Sequence, residues 1–220
     1  MSDDLDDLIR RVDPDRWLSS RFVGDPALRA ALIAIYAYDH ELARAPRVAS
    51  NSLLGEIRLT WWREMLDEAY EGRHVRHHPT AQALAEVIRR HGLPREPLEA
   101  MIDARYRELD ATPMQAKEAL AWARDTGGRA AELAASILAP DADPGPARAG
   151  GAAWALARLA AQEPGLADIS RRTTEGARKA VRTLTEPAFP AVAHAALVGR
   201  RRSPIIDRLR VILAVARGRI

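Results

Sequence analysis

Between Asp25 and Gly72 the apolar residues return at every third or fourth position and nowhere alternate, so this stretch can bury a face only as helix. Asp25 stands at the N-cap and Pro26 at the first helical position, followed by Leu28, Leu32, Ile35 and Tyr36. Pro46 lacks an N–H and its ring crowds the carbonyl four residues back, which predicts a stop or kink there. A second helix is expected from Ser50–Ser52 onward, with Leu53, Leu54, Ile57, Trp61, Met65 and Leu66 on one broad face.

The same periodicity runs through the rest of the chain. A short helical segment is expected over Asp3–Val12, and Asp13-Pro14 opens another carrying Trp17 and Leu18. Leu84, Val87 and Ile88 mark a helix ending at Gly92, and Leu98, Met101, Ile102, Tyr106 and Leu109 mark the next. Residues 115–139 read as an Ala-rich helix interrupted by Gly127-Gly128, and Pro140 to Pro146 as a loop. Further helices are expected at 147–162, 166–185, 188–199 and 204–217. With no strand-like alternation and no solenoid repeat, the expectation is one all-α domain over residues 1–220. At 47% apolar the chain has material for a core. It has no cysteine, which removes disulfides and zinc–sulfur sites. The 33 basic and 30 acidic residues are interspersed, so no nucleic-acid partner is expected. The acidic start MSDDLDDLIRR and the lack of a long apolar run suggest a cytoplasmic protein.

Several segments together resemble the squalene/phytoene synthases. Tyr36-Ala37-Tyr38 is similar to that family's YAF-like helix, and Trp62-Arg63-Glu64-Met65-Leu66-Asp67 with Tyr70-Glu71-Gly72 to its WRExLDxxYEG segment. His78-Pro79, then Gly92-Leu93-Pro94-Arg95-Glu96-Pro97, follow in the family's order. Residues 103–110 and 122–138, the latter with Gly127 matched, fall where relatives have DGMEMDLD and YCYxVAGxVG. The resemblance is clearest over 20–162 and implies an isoprenoid-synthase-type helix bundle, shortened toward its C-terminal end. Glu41-Leu42-Ala43 and Leu54-Gly55-Glu56-Ile57-Arg58-Leu59 resemble the branch that includes a mitochondrial complex I assembly factor. That implies a protein partner, such as a respiratory-complex subunit.

The family joins prenyl diphosphates with magnesium held by two aspartate-rich motifs. In this chain the first motif's slots fall on Ala43, Arg44 and Arg47, and the second's on Arg158 and Gln162. No acidic residue lies between Pro146 and Gln162. A guanidinium about 7 Å from a divalent ion repels it by roughly 5 kcal/mol at an effective dielectric near 20. Pro46 is also expected to break the register that such a motif needs. The reading is therefore a synthase-like protein without its ionisation chemistry, using no cofactor and acting as a binding or assembly factor. One alternative is an active prenyltransferase with magnesium on a rearranged acidic set of Asp39, Glu41, Asp103 and Asp110. Another is an isoprenoid or lipid binder.

Asp39 and Glu41 point to different sides of a helix, whereas Asp103 and Asp110 are expected to share a face, beside exposed Arg105 and Arg107. Arg44 and Arg47 can grip a phosphate without metal, since guanidinium forks match its oxygens. Trp62 is expected in the core, leaving Trp61 as a partner-contact candidate. His74, His77 and His78 read as a solvated loop, not as a zinc site, and Gly127-Gly128 as close helix packing. Ile205, Ile206, Leu209, Ile212, Leu213 and Ala216 form a stripe preceded by Arg200-Arg201-Arg202. Either the stripe docks on the bundle, or it makes a peripheral contact with a membrane's inner face or a partner.

Overall fold

The computed structural model describes residues 2–47, 51–198 and 203–220. Ser50, Gly199 and Arg200–Arg202, on which some of the expectations above fall, lie outside them. Among the described residues the chain forms α1 (Ser2–Val12), α2 (Pro14–Ser20), α3 (Pro26–Arg47), α4 (Ser52–Tyr70), α5 (Pro79–His91) and α6 (Arg95–Tyr106). These are followed by α7 (Ala116–Ala123), α8 (Arg129–Leu138), α9 (Gly145–Ala160), α10 (Ala167–Ala180) and α11 (Pro204–Arg217). No strand appears among the described residues.

Local chemistry sets the boundaries. Asp25 Oδ1 accepts from the Ala27 amide at 2.7 Å, with Pro26 pre-set for the first turn of α3. Asn51 Oδ1 caps α4 through the Leu54 amide at 3.0 Å. Gly92, at φ +59°, ends α5 in the left-handed conformation that glycine adopts without penalty. Pro46 does not stop α3, which continues through Arg47. The burial of Leu42 and Ala45 holds this last turn, and the fixed φ of proline is itself helical.

α3 is the central helix, packed against α1, α4, α5, α6 and α8. Leu32, Ile35, Tyr36, Tyr38 and Leu42 are fully buried along it, each large side chain contributing about 2 kcal/mol by leaving water. Tyr38 donates its hydroxyl to the Leu98 carbonyl at 3.0 Å and meets Trp62 edge to face, tying α3 to α6 and α4. α4 buries Gly55, Leu59, Trp62, Met65 and Leu66. Leu53, Leu54 and Ile57, expected on the same inner face, are exposed instead. The packed stripe runs along one side of α4, and these three residues lie off it.

The interruption at Gly127-Gly128 is one wide turn, Arg124–Gly128, linking α7 to α8. It lets α9 approach the chain very closely: a Cβ on Gly151 would lie 2.1 Å from the Gly127 carbonyl oxygen. Beyond α10 the expected helix at 188–199 is replaced by two tight 3₁₀ turns, Glu186–Ala191 and Ala193–Leu197. Pro187 and Pro190 remove two amide donors there. Ser19 fastens these turns to α2, donating to the Pro190 carbonyl at 2.6 Å and accepting from the His194 amide at 3.2 Å.

Candidate functional site

α2, α3, α6 and α9 bring their polar residues to one place. Asp39 directly follows the apolar run of α3, and it is buried. Its Oδ2 accepts from Arg16 of α2 at 2.7 Å and its Oδ1 from Arg105 of α6 at 2.6 Å, both guanidiniums being buried with it. Burial alone would raise the Asp39 carboxyl, but the two arginines reverse this and hold it at about 2. Arg105 also binds Glu108 at 2.5 Å, and Glu108 accepts from the Trp122 indole at 2.8 Å. Arg16 stacks over Trp154 of α9 at 4.3 Å and lies 3.4 Å from Asp13, the cap of α2. Burial raises the Asp13 carboxyl despite the Arg16 charge beside it. The buried His194 ring also meets the Trp154 indole edge to face at 5.1 Å. Burial pushes His194 down to about 3, so the ring is neutral at ordinary pH.

Above this network opens a cavity of about 520 Å³. Ala43 and Arg47 of α3 line one wall and Arg158 and Gln162, from α9 and the turn after it, line another. Four of the five positions aligned with the metal motifs therefore line the same cavity. Ala43 and Arg47 face the same space, so the helical register that Pro46 was expected to disrupt is intact between them. The fifth, Arg44, points elsewhere and pairs with Glu41 at 3.0 Å. Arg158 stacks on Trp154 at 4.8 Å and stands 3.8 Å from Asp15. Among the described residues no carboxylate pairs with Arg47.

Of the four acids considered together, Asp39 and Asp110 line the cavity and Glu41 and Asp103 do not. Asp103 sits on the exposed face of α6, bound to Arg63 of α4. Asp110 lies beyond the end of α6, after a 3₁₀ turn, and reaches Arg107 at 3.5 Å. The two do not share a helical face, because α6 ends at Tyr106. Arg105, expected on an exposed face, is buried. Among the described residues no three His, Cys, Asp or Glu side chains converge in a way that could hold a metal ion.

Trp61 is half-buried, edge to face with Trp62 at 4.9 Å, with Arg76 over its ring at 5.4 Å. It borders a shallow groove of about 300 Å³ together with Arg44, Ile57, Arg58 and His78. Sequence reasoning missed Arg16 and Trp154 and misjudged Arg105. The one available signal was an aspartate directly after the apolar run Ala34 to Tyr38, on a helix whose neighbours are buried, which had to find cations elsewhere.

Two solved structures share this helical architecture. A dehydrosqualene synthase in complex with ligand superposes with a TM-score of 0.76 at 12% identity, covering 98% of this chain and 95% of that one. Squalene synthase HpnC from Alicyclobacillus acidocaldarius gives 0.69 at 16% identity, covering 99% and 94%. The fold is that of the squalene synthases, an isoprenoid-synthase-type bundle. The sequence model of the squalene/phytoene synthase family matches residues 9–179, and the chain belongs to that family. Curated relatives are NADH dehydrogenase (ubiquinone) complex I, assembly factor 6. The Bos taurus protein is 30% identical over 104 residues, 47% of this chain and 31% of that protein. The Mus musculus protein is 26% identical over 133 residues, 60% and 39% respectively. The matched segment thus spans about a third of these relatives' length.

Proposed function

We propose that this protein is a non-catalytic member of its family that binds a protein partner in the assembly of a respiratory complex. The observation that carries the reading is the set of side chains lining the cavity at the motif positions: Ala43, Arg47, Arg158 and Gln162. Magnesium wants carboxylate oxygens that are free to coordinate it. Here Asp39 is clamped by two arginines and Glu108 by Arg105 and Trp122, while the other acids of the lining, Asp13, Asp110 and Glu163, do not converge with them on a metal site among the described residues. The residues present do not suit a magnesium cluster. The likeness to the complex I assembly factors supports the partner class. Trp61 with the exposed Leu53 and Ile57 is the surface we assign to that partner, since large aromatic and aliphatic side chains anchor interfaces. The rearranged prenyltransferase finds less support, because its four acids do not converge. An apolar lipid carrier also finds less, because the cavity wall carries charge of both signs.

The test is release of diphosphate from farnesyl or geranylgeranyl diphosphate with magnesium present. The expected result is no release above the enzyme-free rate; robust turnover would sink the reading.

A further inference from the structure

α11 is attached to the bundle by the side opposite to the one its sequence pattern suggests. Asp207, Val211 and Ala214 are buried, and the helix packs on α2 and on the turns at Glu186–Ala191 and Ala193–Leu197. Ile205 is 73% exposed and Leu209 54%, and Ile206, Ile212 and Leu213 also face outward. At about 100° per residue these side chains and Ala216 span an arc of roughly 120°, diametrically opposite the docked face. Arg208 falls on one border of the arc and Arg217 on the other, where Arg210 is already taken by Asp207. The only acid of the helix, Asp207, is turned inward, where it binds Arg210 and the Ser203 amide. The outward surface of α11 is therefore apolar along its middle, with arginine along both edges. Three further arginines, Arg200–Arg202, precede it in sequence.

The charge and length decide what covers such a face. A helix of 14 residues is about 21 Å long, short of the roughly 30 Å hydrocarbon core, and no helix among the described residues is long and apolar enough to cross a membrane. A second copy of the same face would bring arginine borders together with no outward acid to pair them. An anionic bilayer satisfies both parts: acyl chains take the aliphatic stripe, and headgroup phosphates take the guanidiniums on its edges. We propose that α11 is a membrane-surface helix that seats this protein on an anionic bilayer, with Ile205, Leu209, Ile212 and Leu213 immersed. This is independent of what the cavity binds.

Vesicle sedimentation tests it with the full chain. The protein is expected to pellet with vesicles of phosphatidylcholine mixed with phosphatidylglycerol and to stay largely in the supernatant with phosphatidylcholine alone. The double variants Leu209→Glu/Leu213→Glu and Arg208→Glu/Arg217→Glu should each weaken partitioning about tenfold or more, as expected for loss of insertion or of headgroup attraction. Their helical circular dichroism and unfolding midpoint should match the parent, because these side chains lie outside the packed face. Failure of the parent to bind anionic vesicles overturns the proposal, as does undiminished binding by Leu209→Glu/Leu213→Glu. A dimer abolished by the same variant, or a captured protein partner, with no vesicle binding in either case, would reassign the face.

Discussion

Asp39 shows how much rests on one side chain. Its carboxylate is shared by two buried guanidiniums that come from 23 residues before it and 66 after it. Removing one partner of a buried ion pair leaves the other charge without water or counter-charge, which typically costs about 3–5 kcal/mol. Asp39→Asn keeps the shape and removes the charge, leaving Arg16 only the longer contact to Asp13 and Arg105 only Glu108. Urea unfolding at neutral pH should show a loss of about that size. Asp103→Asn, which opens only the exposed bridge to Arg63, should change stability by less than about 1 kcal/mol. Equal effects of the two substitutions would show that the buried network carries no special weight. The local sequence indicates this network only through Asp39 itself. An aspartate in an apolar helix announces a need for cations, but only the fold shows which ones lie within reach.

The helices were legible because their apolar spacing and their caps are local properties, as at Asp25-Pro26 and at Gly92. What was not legible depends on neighbours distant in sequence. Leu53, Leu54 and Ile57 of α4 and the stripe of α11 have the pattern of buried faces and are exposed, because periodicity identifies a face without saying what stands opposite it. Pro187 and Pro190 turned an expected helix into 3₁₀ turns, a departure that the prolines could have signalled. The close packing expected at Gly127-Gly128 is found, with Gly151 of α9 as its partner. A Cβ on Gly151 would also lie 2.6 Å from the Ala131 Cβ, so α9 would have to move away from α8 and the turn before it. Gly151→Ala is therefore expected to destabilise by about 2–3 kcal/mol through overpacking. Gly176, on the exposed side of α10, has nothing within 4 Å of an added Cβ. Gly176→Ala should stabilise by about 0.5–1 kcal/mol, because alanine loses less backbone entropy in a helix. Thermal unfolding of the two variants compares a crowded glycine with a free one; a stabilised Gly151→Ala would overturn the packing argument.

On the scale of the whole molecule, the bundle shares the architecture of a dehydrosqualene synthase at 12% identity and of a squalene synthase at 16%, while its cavity walls carry arginine at positions 47 and 158. A family fold shows a scaffold, and the side chains projecting into it decide the chemistry. If Arg47 and Arg158 act as cations toward a ligand, a diphosphate should be held by guanidinium forks, and magnesium should be irrelevant to its affinity. A ligand that binds only the folded state adds stability of RT ln(1 + [L]/Kd), about 2.7 kcal/mol at a hundredfold excess over Kd. For a domain of this size that corresponds to a rise in Tm of roughly 5–10 °C. Inorganic diphosphate should therefore raise Tm equally in magnesium and in EDTA, and Arg47→Ala with Arg158→Ala should remove most of the rise. Arg44→Ala should leave it intact, because Arg44 faces away from the cavity and is paired with Glu41. A rise that appears only with magnesium would mean that carboxylates in the cavity exchange their arginine partners for metal, and the clamped network around Asp39 would then have to open on binding.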